Sequence, residues 1–147
     1  MQYHDNVIVL ETNLDDCTGE ALGYTMELLE QQGALDVSYT PIYMKKNRPA
    51  YALKVICKPE QEEALIHAIF RETGAIGLRR TPTERIIMDR EPTTVMTPYG
   101  TVAAKKCMYH DIQKTTIEYE SAKQLAETNQ VPLTEILHFF QNKGNQK

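Results

Sequence analysis

The sequence predicts an α+β fold, and three observations predict it. Short β-branched and aromatic runs alternate with two amphipathic helical stretches over roughly the first half of the chain. Beyond Pro82 the pattern changes to polar strand-like segments around a Pro-Tyr-Gly turn, followed by two modest helical patterns. The length of 147 residues suits one domain, or one core with an appendage.

Val7-Ile8-Val9-Leu10 reads as the first strand, and Glu11 to Asp16 as a polar loop at its end. Thr18 is placed to cap a helix opened by Gly19-Glu20-Ala21. Leu22, Met26 and Leu29 recur there at helical spacing, and Gly33 is placed to end the helix in the left-handed region. Asp36 to Met44 suits a strand bent near Pro41. A basic turn follows, and Tyr51 to Cys57 forms the next strand. Lys58-Pro59-Glu60 starts a second helix, with proline and acids at its positive end. Leu65, Ile66, Ile69 and Phe70 supply its apolar face, Gly74 closes it, and Ala75 to Arg80 returns as a strand. This β-α-β-β-α-β order is the ferredoxin-like split, a sheet with two helices on one face. In the second part, Arg85–Asp89 and Thr94–Met96 read as strand interrupted by Pro92, and Thr101 to Met108 returns after the turn at Pro98-Tyr99-Gly100. Helices are expected over Tyr119–Thr128 and Pro132–Gln141, with a frayed end at Asn142–Lys147. The expected division is 6–82 for the ferredoxin-like domain and 83–143 for a β-hairpin plus helical carboxyl-terminal subdomain.

The formal net charge of -4 argues against nucleic acid or an anionic membrane as partner, so any polyanion site must be a local cluster. No apolar run approaches the ~20 residues of a membrane span, and the amino terminus lacks signal-peptide features. A cytoplasmic protein is expected. Cys17, Cys57 and Cys107 are too widely spaced for a disulfide framework or a structural zinc site. The four histidines are scattered, so no protein-only nickel or zinc cage is visible.

Candidate chemistry gathers around Met44-Lys45-Lys46-Asn47-Arg48-Pro49. Three cations held beside a short turn suit a polyanion such as a nucleotide triphosphate, with arginine forking onto phosphate oxygens and lysine acting as a point charge. The plain alternative is a solvated hairpin tip. Asp15 and Asp16, between a strand end and a helix start, suit a hard divalent ion that completes its shell with phosphates. Their plain alternative is helix capping and complementation of the helix dipole. Arg71-Glu72-Thr73 ends the second helix, and Arg79, Arg80 and Arg85 add further cations. The loops carrying these groups are expected partly at opposite ends of the sheet, which favours a site shared between subunits. Tyr99-Gly100, with Lys105 and Lys106 beyond, offers a ring for stacking, or is simply a turn. No Walker loop and no Gly-x-Gly-x-x-Gly fingerprint is present.

Several ordered motifs resemble the LarC family: Glu11-Thr12-Asn13-Leu14-Asp15-Asp16, Gly33-Ala34-Leu35-Asp36-Val37, Thr40 through Pro49, Phe70-Arg71-Glu72-Thr73 with Gly77-Leu78-Arg79, and Thr97-Pro98-Tyr99-Gly100. The resemblance runs from Val7 to about Leu137 and concerns the carboxyl-terminal part of LarC. It implies a nickel cyclometallase, a chelatase-type lyase. Such an enzyme inserts nickel, its substrate ion, into pyridinium-3,5-bisthiocarboxylic acid mononucleotide to form the nickel-pincer cofactor of lactate racemase. It also implies CTP, consumed with Mg2+ or Mn2+, and partnership with an amino-terminal part of LarC in a homo-oligomer, a trimer or hexamer. On that reading Lys46 and Arg71 are catalytic. Lys45, Lys46, Arg48, Arg71, Glu72, Thr73, Arg79, Tyr99 and Gly100 bind CTP, and Asp15 and Asp16 hold the divalent ion. Two departures stand out: Asn47 and Ala50 where glycines are expected around the basic turn, and Gly74-Ala75 in place of a Thr-rich pair. The alternative reading is a non-catalytic nucleotide-binding module that serves regulation or oligomerisation.

Overall fold

The structure, a computed structural model, describes residues 3–144, with side chains as far as residue 140. These fall into two compact units, one spanning His4–Arg85 and the other formed by Tyr3 with the chain from Ile86 onward.

In the first unit β1 (His4–Leu14), α1 (Gly19–Gln31), β2 (Asp36–Met44), β3 (Arg48–Cys57), α2 (Glu62–Glu72) and β4 (Arg79–Ile86) follow one another. The strands form one sheet in the order β2-β3-β1-β4, the ferredoxin-like arrangement. β3 pairs antiparallel with β1, in the register Thr12↔Leu53, and with β2, in the register Tyr39↔Leu53. One face of this sheet is apolar: Ile8, Leu10, Leu14, Val37, Leu53, Val55 and Cys57 are buried against Leu22 and Leu29 of α1 and Leu65, Ala68 and Ile69 of α2. At about 25 cal/mol per Å2 of apolar surface removed from water, this core dominates the unit's stability. α1 ends as expected. Gly33 (φ 98) lets its own N–H reach the Glu30 carbonyl and the Ala34 N–H reach that of Leu29, a Schellman closure.

Three boundaries differ from expectation. β1 continues through Leu14, so Glu11-Thr12-Asn13-Leu14 is strand rather than loop. Thr12 and Leu14 are 5% and 2% exposed and extend the inward alternation of Leu10, while Glu11 and Asn13 alternate outward. The residues after Gly74 do not form the expected strand, because β4 starts only at Arg79 and carries Pro82 within it. It is an edge strand with seven of eight residues exposed, so proline is tolerated and no apolar alternation marks it. α2 is preceded by a 3-10 turn at Pro59–Gln61 rather than starting at Lys58.

In the second unit β5 (Asp89–Thr97), β6 (Gly100–Tyr109) and β7 (Ile112–Ile117) form an antiparallel sheet in that order, followed by α3 (Tyr119–Asn129) and α4 (Leu133–Gly144). Val102, Ala122, Ala126 and Ile136 are its buried centre. β5 is unbroken by Pro92, which again lies on an edge strand. β7 is absent from the sequence expectation, because its exposed Ile-Gln-Lys-Thr-Thr-Ile stretch follows a turn without glycine at His110-Asp111, where His110 takes φ 50. α4 runs three residues past Gln141, into the stretch expected to fray; residues 145–147 of that stretch lie outside the described residues. Among the described residues no helix is long and apolar enough to cross a membrane.

Candidate functional site

Three connections of the first unit reach the same end of its sheet. β1 and β2 both pair antiparallel with β3, so they run the same way, and the β1–α1 loop lies beside the β2–β3 turn. α2 then carries the chain back from the far end of β3, and the α2–β4 loop arrives at this end too. Contacts record the convergence. Arg48 Nη1 is 3.9 Å from Asp15 Oδ2. The Thr12 hydroxyl donates to the Gly77 carbonyl at 2.8 Å, and Arg79 Nη2 donates to Asn13 Oδ1 at 3.2 Å. The expectation that these loops sit partly at opposite ends is therefore corrected by the topology itself.

The β1–α1 loop holds the two aspartates. Capping is done by Thr18, whose hydroxyl accepts from the Ala21 N–H at 3.1 Å, so neither Asp15 nor Asp16 is needed as the cap. Asp16 lies against the α2–β4 loop at Gly74. Cys17 Sγ is 3.9 Å from Asp16 Oδ1, and the Cys17 side chain is partly buried against the core. Nearby Tyr39 donates to the Leu22 carbonyl at 2.7 Å; burial, with Cys17 as a smaller influence, pushes its phenol up to about 12.

The basic turn, Lys45–Asn47, is closed by the Arg48 N–H donating to the Lys45 carbonyl. Lys46 (φ 61) and Asn47 (φ 58) both adopt the left-handed conformation, so the turn is tight although no glycine is present. Among the described residues Lys45 and Lys46 make no ion pair. By contrast, Arg48 faces Asp15, Arg71 faces Glu72 at 3.5 Å and Arg79 faces Glu11 at 3.9 Å. The pairs of Arg48, Arg71 and Arg79 are solvent-screened and exchange readily. Two other arginines are committed elsewhere. Arg80 forks onto Glu62, and Arg85 onto Asp5 at 2.9 and 2.7 Å; the hydrogen bond from Arg80 holds the Glu62 carboxyl below its ordinary range.

Thr73 is used by the backbone. Its hydroxyl donates to the Ile69 carbonyl at 2.6 Å and accepts from the Ala75 N–H at 3.2 Å. Arg79, beside the outward-facing Glu11 and Asn13, lies toward the face of the sheet away from the helices. Among the described residues no hydrogen bond or ion pair ties Lys45, Lys46 or Arg71 to either aspartate. Tyr99 and Gly100 belong to the second unit. There the Tyr99 hydroxyl donates to Glu135 Oε2 at 2.7 Å, which raises the phenol above its ordinary range. Asn129 holds the Tyr99 carbonyl at 3.1 Å, and Gly100 takes φ 133. The sequence reading missed Glu11, Asn13 and Gly74 as neighbours of the candidate residues; only the continued alternation along β1 signals the first two.

The donor set also bears on the ion. Among the described residues no three His, Cys, Asp or Glu side chains converge. Asp15 and Asp16 carry the hard carboxylate oxygens that an Mg2+- or Mn2+-like ion takes, and their contacts send Asp15 towards Arg48 and Asp16 towards Gly74.

A family profile described as nickel insertion protein matches residues 1–137. The chain belongs to the nickel insertion protein family. Proteins named pyridinium-3,5-bisthiocarboxylic acid mononucleotide nickel insertion protein are similar to it. That of Alkaliphilus metalliredigens is 49% identical over 117 residues, covering 80% of this chain and 28% of its own. That of Lactiplantibacillus plantarum is 45% identical, covering 90% of this chain and 31% of its own, and that of Acetivibrio thermocellus is 42% identical, covering 90% and 32%. The chain thus spans about a third of the length of these curated relatives. Among solved structures, LarC2, described as the C-terminal domain of a cyclometallase involved in synthesis of the NPN cofactor of lactate racemase, is 43% identical with a TM-score of 0.86. The match covers 92% of this chain and 94% of that one. A Methanopyrus kandleri protein at 23% identity and TM-score 0.58 shares the fold.

Proposed function

We propose that this member of the nickel insertion family is the CTP-binding part of a nickel cyclometallase acting on pyridinium-3,5-bisthiocarboxylic acid mononucleotide. The observation that carries the reading is the meeting of the basic turn, the Asp15-Asp16 loop and the α2–β4 loop at one end of the sheet. Lys45, Lys46 and Arg48 hold the triphosphate, joined by Arg71 and Arg79 as these exchange carboxylate for phosphate partners. Lys46 and Arg71 stabilise the charge that develops when the substrate attacks the α-phosphate and pyrophosphate leaves, giving a cytidylyl adduct. Asp15 and Asp16 orient a divalent ion, whose contribution is to neutralise phosphate charge. Glu72 and Thr73 shape the loop that carries Arg71. The Tyr99 ring stacks on the base, with Gly100 giving close backbone approach, in a site shared between the subunits of a trimer or hexamer. The soft sulfur donors for nickel belong to the substrate, which agrees with a protein site built of oxygen and nitrogen groups. The amino-terminal part of the relatives completes the enzyme.

The test is CTP affinity at moderate salt. Replacing Lys46 and Arg48 together by alanine removes two charge-assisted phosphate contacts and weakens binding by at least about tenfold. Unchanged affinity removes the phosphate site. The competing reading, a regulatory nucleotide-binding module, gains if CTP binds but is never cleaved once the amino-terminal part and substrate are supplied.

A further inference from the structure

The two sheets end in the edge strands β2, β4, β5 and β7. Pro41, Pro82 and Pro92 lie within the first three, and each removes a backbone donor that an incoming strand would need. β7 carries no proline. It reads Ile112-Gln113-Lys114-Thr115-Thr116-Ile117, rich in β-favouring residues and largely exposed. Its phase on β6 is fixed. The Glu118 N–H donates to the Ala103 carbonyl at 2.9 Å, and the register Ala104↔Ile117 sets those two residues opposite each other. Bonded pairs alternate along an antiparallel ladder, so Ile112, Lys114 and Thr116 bond to β6. The N–H and C=O groups of Gln113, Thr115 and Ile117 point away from β6, and no backbone partner meets them among the described residues.

We infer that the β7 edge is an interface for a second copy of this chain, whose own β7 adds antiparallel about a two-fold axis and makes the two sheets continuous. The contact lies outside the nucleotide reading and stands whether or not CTP binds. Geometry and charge together select its register. The axis is perpendicular to the sheet, so residues of one face oppose residues of the same face. Near the middle of β7 that leaves Lys114 or Thr115 on the axis, and both let the outward-pointing groups meet. Lys114 on the axis would oppose its own copy, a like-charge pair that destabilises. Thr115 on the axis sets it against Thr115 of the partner subunit, a favourable pair, and joins Gln113 to the partner's Ile117. Lys114 then opposes the partner's Thr116, and the two lysines stand a diagonal apart. The other diagonal brings Lys114 to the partner's Glu118, a carboxylate that meets Lys105 of its own subunit at 3.6 Å and is 46% exposed. The lysine that wards off other strands is thus accommodated in this one register.

The test is the mass of the full chain by sedimentation velocity, with charges placed on the axis. The parent should form an even-numbered assembly. Thr115→Lys and Thr115→Glu should each halve its mass, because like charges then oppose each other across the axis, and mixing the two variants should restore it. Thermal melts show whether Lys106, the β6 neighbour of Thr115, disturbs either fold. Recovery on mixing gives a second check, since misfolded chains would not reassemble. Disulfide capture under mild oxidation reads the register, against the background of Cys17, Cys57 and Cys107 in the parent. Thr115→Cys should cross-link to itself, its Cα atoms being about 5.5 Å apart across the axis. Gln113→Cys should cross-link to Ile117→Cys and not to itself. A monomeric parent leaves the edge to some other strand or to none and overturns the inference. An unchanged mass in both like-charge variants, a mixture that stays at half mass, or self-capture by Lys114→Cys in place of Thr115→Cys also overturns it.

Discussion

Lys46 is the residue where conformation and chemistry meet most closely. A lysine at φ 61 and ψ 28 carries a steric cost that glycine would not. The neighbouring Asn47 shares the conformation, but asparagine tolerates it through its short polar side chain. Strain held at a position that also offers an unpaired cation is the pattern expected where function, rather than stability, selects the residue. Lys46→Gly should therefore stabilise the fold by about 1 kcal/mol, a rise in Tm of about 3 °C, while lowering CTP affinity. Thermal melting and a CTP titration on the same variant check both halves, and a fall in Tm would show that the turn is not strained. The cations themselves were legible in the sequence, since Lys45, Lys46 and Arg48 crowd a Pro-bounded turn in an acidic chain. The left-handed backbone was not, because the glycines that normally announce it are absent.

Among the elements, β2 and α1 are tied by a hydrogen bond from the Tyr39 hydroxyl to the Leu22 carbonyl. Losing it in Tyr39→Phe should cost about 1 kcal/mol at neutral pH. The pH dependence has a definite sign. The folded phenol titrates near 12, above its ordinary value of 10.0, so its contribution is complete below pH 10 and fades as pH rises towards 12. Tyr39→Phe should flatten that alkaline fall in stability, as followed by urea unfolding at several pH values; an unchanged fall would assign it to another group. Elements with one buried face were readable from sequence. The Leu22, Met26 and Leu29 spacing and the Leu65, Ile66 and Ile69 spacing locate α1 and α2 within a few residues. Edge strands were not. In β4 and β7 most residues are exposed, so period-two alternation has no apolar half to display. The polar end of β1 hid for a related reason: Thr12 is an inward-facing residue whose hydroxyl is satisfied by Gly77.

For the whole chain, the element order β-α-β-β-α-β already contains the site's geometry. Two antiparallel pairings to β3 and one returning helix bring the β1–α1 loop, the basic turn and the α2–β4 loop to one end. A chain of formal charge -4 can then present a local cationic surface there while remaining acidic elsewhere. Sequence spacing could list the charged residues but not show that Arg48 faces Asp15, or that Arg79 turns outward to Asn13, because those pairings follow from register. The chain spans about a third of the length of these curated relatives.

On the proposed function, this end of the sheet receives a triphosphate and its ion. A crystal soaked with CTP and Mn2+, with the metal located by anomalous scattering, tests it most directly. A manganese peak is expected at coordination distance from the Asp15 and Asp16 carboxylates, with the triphosphate running towards Lys46 and Arg48. A manganese–CTP pair bound away from both aspartates and from the basic turn would contradict it.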